Sequence, residues 1–387
     1  MTEAPLADLA VRVLRGNWVE GEREGVRYGY TSPSPGRYPW QWYWDSCFAA
    51  IVRRRFEPRR ARTELESLLR SAREDGFIGH ITFWSDPVSL TRLPYYNVAS
   101  RDALRTETIQ PPLLAWAWSM AVGDPAAELA IARHHRWLRE KRALDGDGLL
   151  WIVQPDESGL DASPKFDEVW GRRAHGRLGF PLLVRRNRRL GFDARRIAAA
   201  GGPVVCEVIV NTLWCLSELA LGRPSLTPAI VERLWDERRG LFLDEVRPSG
   251  ARPAVATCSA LAPLALPDLP EEIGRRMVEE HLLDKRRFWT PFPPPSVSAS
   301  EPSYEPSGGP RLPRRYWRGP TWVNVAWLLW LGLRRLGYEA QAAEVAARLE
   351  TAALREGLRE YYDPRDGRGL GAKDFAWSAL VLEMAEE

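Results

Sequence analysis

Lysine is almost missing from this chain. Only Lys141, Lys165, Lys285 and Lys373 stand among its 54 basic residues, the rest being arginine. Against them are 51 acidic residues and a formal net charge of +3, so no overall field draws the molecule to nucleic acid or a membrane. Cysteine is scarce as well. Cys47, Cys206, Cys215 and Cys258 lack C-x-x-C or zinc-like spacing, which excludes a disulfide framework and favours buried thiols. H-E-x-x-H and G-x-S-x-G are absent, as are the D-D-x-x-D and D-x-D-D runs that a terpene cyclase needs. Long apolar runs are lacking too. The most apolar stretch, Trp322 to Leu333, is interrupted by Asn324 and followed by Arg334 and Arg335, well short of the ~20 residues a bilayer requires. The first residues show no basic segment ahead of an apolar one, and no Asn-x-Ser/Thr site occurs. A soluble, cytoplasmic protein is expected.

What abounds is tryptophan: 18, beside 11 tyrosines and 11 phenylalanines, in 387 residues that are 45% hydrophobic. Disorder is excluded, and this many indoles usually line something. Helical periodicity dominates. Ala61, Leu65, Leu68, Leu69 and Ala72 form an i, i+3, i+4 stripe opened by Pro58. Similar stripes lie near 5–15, 43–54, 111–122, 126–142, 205–221, 227–238, 254–264, 270–283, 320–336, 339–356 and 374–386. Strand alternation is nearly absent, with Leu149–Val153 the best candidate. No repeat or composition shift divides the chain. About a dozen helices in one uninterrupted unit predict an all-α single domain over 1–387, its helical hairpins closed into an (α/α)6 barrel. Two aperiodic stretches, 76–110 and 290–315, read as lid loops over an active-site funnel, with Gly308-Gly309 as a hinge. The second holds eight prolines in 26 residues.

Four segments carry chemistry. In Tyr38-Pro39-Trp40-Gln41-Trp42-Tyr43-Trp44-Asp45, five aromatics in seven residues cannot all face one helical core. They form either a packed rim with Asp45 as a helix cap, or a surface for sugar rings with Asp45 accepting from hydroxyls. Gln154 to Phe166 places Asp156, Glu157 and Asp161 in a Gly/Pro/Ser-rich turn, either solvated or presenting an acid to a cleft. Tyr316-Trp317-Arg318-Gly319-Pro320-Thr321-Trp322 is either a structural corner or a place where Gly319 admits a ligand and Arg318 meets its oxygens. Last, Glu360 between Arg359 and Tyr361-Tyr362 is a candidate base. The glycines at 367, 369 and 371 beyond it read as a tight turn rather than a phosphate loop.

In this order the four segments resemble glycoside hydrolase family 63, in particular its short bacterial members, the mannosylglycerate and glucosylglycerate hydrolases. The likeness covers roughly 30–385. It implies the same (α/α)6 barrel, with Asp161 in E-S-G-x-D-x-S-P as general acid and Glu360 as general base. It also implies that Tyr38, Trp42, Trp44, Asp45, Gln110, Tyr316, Trp317 and Trp322 hold the sugar, to which the residue types add Arg318 and Gly319 as candidates. Asp156, Ala326 and Lys373 depart from the family pattern, standing where Trp, Asn and Gln are common. Lys373 is the favoured cation for a carboxylate on the substrate, ahead of Arg195 or Arg196.

The expected activity is inverting hydrolysis of a small polar α-glycoside, above all mannosylglycerate or glucosylglycerate. The alternatives are a trehalase-like or oligosaccharide α-glucosidase and, from another class, a non-catalytic sugar-binding toroid. The run Arg185 to Arg189 reads as a solvated helix end rather than a nucleic-acid site. His134-His135 lack metal-ligand spacing. No metal and no cofactor are expected. The partner is a small carbohydrate, without nucleic acid or membrane, and self-association stays open.

Overall fold

Two kinds of helix alternate along the chain. The computed structural model describes residues 3–85, 102–172, 179–307 and 316–385. One kind is amphipathic. Glu339–Glu356 buries Ala342, Val345, Ala346, Leu349, Ala352 and Ala353, a single stripe with polar residues opposite. The other kind is covered on every side. All eleven residues of Tyr43–Arg53 are buried, as is most of Val208–Ala220 and Val323–Arg335.

Burial all round requires neighbours all round, and the packing order supplies them. Tyr43–Arg53 packs on Leu114–Ala121, which packs on Val208–Ala220. That helix meets the 3₁₀ helix Cys258–Ala265, which meets Val323–Arg335. Val323–Arg335 then meets Ala376–Leu380, and Ala376–Leu380 returns to Tyr43–Arg53. Six inner elements close a ring. Outer helices lean on it, among them Glu3–Gly16, Pro58–Arg70, Thr227–Leu234, Glu271–Met277 and Glu339–Glu356. This is the (α/α)6 arrangement, and one apolar cluster runs through it from Leu6 to Met384.

All twelve expected helical stretches are present. Helices at Gly179–Arg189 and Ala194–Ala199 are additional; the first contains the arginine run. Strands are short. Trp18–Arg23 pairs with Val26–Thr31, and Arg359–Tyr362 with Gly369–Lys373. Trp151–Ile152, within the one expected strand, joins Val204–Cys206 and Glu245–Arg247.

The described part of 290–315 is woven into the body. Its N–H groups donate from Phe292 to Pro364 (2.8 Å), from Ser296 to Pro320 (2.9 Å) and from Ser298 to Ala256 (2.9 Å). Backbone pairing rather than periodicity orders it, so it differs from a free-standing lid. Gly308-Gly309 lies outside the described residues, as does 86–101 of the other proposed loop. The ends of that loop are fixed at Trp42: Ile81–Thr82 pairs with Gln41–Trp42, and the His80 N–H donates to Thr108 O (2.8 Å).

Behind the helix that starts at Tyr43 sits buried His134. Its Nδ1 lies 3.0 Å from Gly76 O and its Nε2 3.3 Å from the Tyr43 hydroxyl. Burial, reinforced by neighbouring His135, depresses its pKa from 6.5 to about 3. The unfolded chain therefore binds the extra proton first. The neutral imidazole contributes stability that is complete above pH ~6.5 and is lost as pH falls towards ~3, up to about 5 kcal/mol in all. Urea unfolding across this window should show a shallower pH dependence for His134→Gln than for the wild type. Parallel profiles would contradict the assignment.

Candidate active site

The inner elements begin at one end of the ring, where their first residues meet. The N–H of Trp44 donates to Gln110 Oε1 (3.0 Å), satisfying one of the donors that a helix start leaves open. Trp44 stands edge-on to Trp377 (5.4 Å) and Trp322 meets Trp377 (5.7 Å).

Glu360 reaches this end from the strand Arg359–Tyr362. The ladder to Gly369–Lys373 shifts register between Arg359 and Tyr361, a bulge of the kind that re-aims a side chain. The carboxylate is fully buried. Its Oε1 accepts from the hydroxyls of Tyr38 (3.0 Å) and Tyr316, and its Oε2 from the N–H of Ala372 (2.8 Å). The Arg37 guanidinium lies 3.8 Å from Oε2. Gly371 makes room for this carboxylate. Its φ is +68°, and a Cβ there would stand 2.5 Å from Oε2.

The loop Gln154–Phe166 is not solvated. Glu157 is completely buried, accepting from the N–H groups of Ile109 (3.1 Å) and Val153 (2.8 Å) and from Arg142 (2.6 Å). Asp156 is buried beside His80 (3.6 Å) and accepts from Gln154 Nε2 (2.7 Å). Asp161 alone of the three carboxylates is half-buried. Gly159, at φ +73°, sets the loop on Trp44, whose ring would lie 2.5 Å from a Cβ.

Asp45 links the two sides. Trp42 holds the cap position of its helix and Asp45 lies in the first turn, which overturns the reading of Asp45 as a cap. Burial pushes its carboxyl well above the usual range. Its own N–H opposes this, and the negative charges of Glu360, Glu64 and Asp161 raise it further. Asp45 therefore lies within electrostatic reach of both Asp161 and Glu360.

The aromatic residues pack on one another. Trp317 stacks on Trp322 at 3.8 Å, Trp322 lies against Tyr361 (4.5 Å) and Tyr316 (4.8 Å), and Tyr38 stands edge-on to Trp42 (5.5 Å). Trp317 and Trp322 are almost fully buried, whereas Trp42 is only partly so.

Other candidates are engaged elsewhere. Arg318 is buried and donates to Asp167 (2.5 Å), tying this segment to the short helix after the acid loop. Gly319 gives its open Cα face to the backbone of Glu305, 2.6 Å from where a Cβ would be. Arg195 is taken up by the carbonyls of Ala143 (2.6 Å) and Leu144 (3.1 Å), and Arg196 is exposed. Lys373 is exposed, while its neighbour Ala372 faces Glu360.

Sequence reasoning passed over three groups. His80 sits between Asp156 and the Trp42 ring (5.2 Å). Glu64, fully buried, accepts from the N–H and hydroxyl of Thr31 (2.9 and 2.7 Å). Lys165, four positions after Asp161 in sequence, is buried against Glu207, Asp244 (2.9 Å) and Ser259 (3.1 Å). Among the described residues no group of three or more His, Cys, Asp or Glu side chains could hold a metal ion.

A closed ring of helix pairs, with carboxylates from separate elements converging at the end where the inner helices begin, defines a helical-barrel glycoside hydrolase. Comparison with known proteins narrows the class. The chain belongs to the mannosylglycerate hydrolase MGH1-like glycoside hydrolase family, whose model matches residues 38–224 and 223–378. It is 31% identical to a mannosylglycerate hydrolase of Thermus thermophilus, over 94% of this chain and 98% of that one. To the glucosylglycerate hydrolase of Mycolicibacterium hassiacum it is 26% identical, over 98% and 97%. The crystal structure of the family 63 mannosylglycerate hydrolase from another Thermus thermophilus strain, in complex with Tris and D-glycerate, superposes with a TM-score of 0.82. There the identity is 29%, over 99% of this chain and all of that one.

Proposed function

We propose that this enzyme hydrolyses a small polar α-glycoside, mannosylglycerate or glucosylglycerate, with inversion at the anomeric carbon. Asp161 gives its proton to the leaving oxygen. Glu360 takes one from the attacking water on the opposite face of the sugar. The observation that carries this reading is the fully buried Glu360 carboxylate, held by the hydroxyls of Tyr38 and Tyr316 and the N–H of Ala372. The donor set on Glu360 suits a base that enters the reaction ionised. Asp45, kept towards its neutral form by burial, would bind sugar hydroxyls between Asp161 and Glu360, with Tyr38, Trp42, Trp44, Gln110, Tyr316, Trp317 and Trp322 shaping the subsite.

In an inverting reaction the leaving group and the water lie on opposite faces. Lys373 ends the strand paired with that of Glu360 and is exposed, which weakens the case for it as the partner of a substrate carboxylate. Asp156, within the acid loop, and His80 beside it are alternative polar groups for that end of the substrate. We also propose a single catalytic domain over 1–387, supported by the one apolar cluster that spans it. A cytoplasmic setting is favoured by four free, buried cysteines. Among the described residues no helix is long and apolar enough to cross a membrane.

A panel of mannosylglycerate, glucosylglycerate, their glycerol counterparts and trehalose, assayed for released hexose, tests the substrate. The glycerate glycosides should be cleaved with the highest kcat/KM. Preference for trehalose or a glycerol glycoside would overturn the substrate while leaving the chemistry standing.

A further inference from the structure

Beside Glu360 lies a groove to which the proposed reaction assigns no part. Its volume is ≈ 600 Å³, and three cations line it: Arg12, Arg37 and Lys373, with Asp374 the one carboxylate. The walls come from the end of the helix Glu3–Gly16, the turn at 34–37 and the end of the strand Gly369–Lys373, and they are cross-linked. Buried Asn17 donates through Nδ2 to Asp374 O (2.7 Å) and Pro33 O (3.3 Å). The Ser34 hydroxyl donates to Lys373 O (2.9 Å). The backbone that carries the three positive side chains is therefore fixed around one space.

Two lining residues also touch the base. Ala372 donates to Glu360 Oε2, and Arg37 stands 3.8 Å from the same oxygen, with about half of its side chain exposed. Arg37 thus faces the carboxylate on one side and the groove on the other.

We infer that this groove binds a small oxyanion, a phosphate or phosphate monoester, and that its occupancy regulates the base. Three cations around one space match the dispersed charge of such an ion, and guanidinium forks match its oxygens. An anion seated there draws Arg37 away from Glu360 and sets like charge beside it. Both effects disfavour the ionised base, so turnover falls. This kinetic half rests on Glu360 being the base; the binding half does not.

The test uses the full chain with inorganic phosphate in one arm and a hexose 6-phosphate in the other. Binding is read by calorimetry and hydrolysis by initial rates. Phosphate should bind saturably, more weakly as salt rises, and should inhibit without competing with the glycoside. Arg12→Gln and Lys373→Gln should each weaken binding about two- to fivefold, the scale of half-exposed charge pairs. Arg12→Gln should keep the basal rate and lose inhibition in proportion. Tighter binding of the hexose phosphate identifies a monoester as the ligand, and equal binding identifies the free ion. Binding unchanged in both variants, or inhibition that is purely competitive, overturns the site. Binding that responds to the variants while turnover ignores the anion overturns its coupling to Glu360.

Discussion

Glu360→Gln is expected to lower kcat by about 10²–10⁴-fold, the usual contribution of a positioned general base. KM should change far less. The amide keeps its place among Tyr38, Tyr316 and Ala372 but cannot take a proton from water. Asp161→Asn should cost a similar factor on a natural glycoside, for a different reason. An aryl glycoside whose leaving group departs without protonation should recover most of that loss in Asp161→Asn and little of it in Glu360→Gln. Proton NMR of the wild-type reaction should show the β anomer first. If the α anomer forms first, inversion is wrong; if either variant turns over near the wild-type rate, the paired-carboxylate mechanism is wrong.

The second large effect concerns stability. Lys165 is enclosed by Glu207 and Asp244. Burial alone would lower its pKa, but the two carboxylates outweigh burial and leave it raised. Glu207 is pushed up by burial and drawn down by Lys165. Lys165→Met strips the cation from two buried carboxylates and should cost about 3–5 kcal/mol in urea unfolding. Adding Glu207→Gln and Asp244→Asn should return most of that loss. The glutamine carbonyl can still accept from the Val210 N–H, as Glu207 does at 2.7 Å. A single variant within about 1 kcal/mol of wild type would mean that the buried charges are compensated in another way.

The helices were legible because their signal is local. A stripe such as Ala342, Val345, Ala346 and Leu349 states its own period. The inner helices gave a subtler signal. The aromatics from Tyr38 to Trp44 looked too many for one core face, and they divide: Tyr43 and Trp44 lie in the helix that the ring covers, whereas Trp40 packs on Ile81 and Phe83. Asp161 and Glu360 were singled out through motif resemblance, and their surroundings follow from pairings that no local pattern encodes. Glu64 meets Thr31 across 33 positions and Lys165 meets Glu207 across 42. The strand bearing Glu360 is four residues long, too short for alternation to show, and its partner is rich in glycine. The partners of Arg318 and Gly319 were hidden for a related reason, since Asp167 and Glu305 are remote from them in sequence.

The bond from the Tyr38 hydroxyl to Glu360 joins residues 322 positions apart, and Asn17 is tied to Asp374 across 357. Contacts at such separation form late, because the loop-closure entropy is spent before they return anything. On a ribosome the base, its tyrosine and the groove behind it cannot coexist until nearly the whole chain has emerged. Early helices can pair and bury their stripes, yet such an intermediate has an acid loop and no base. The surroundings of Glu360 are thus completed only in the final stage of folding.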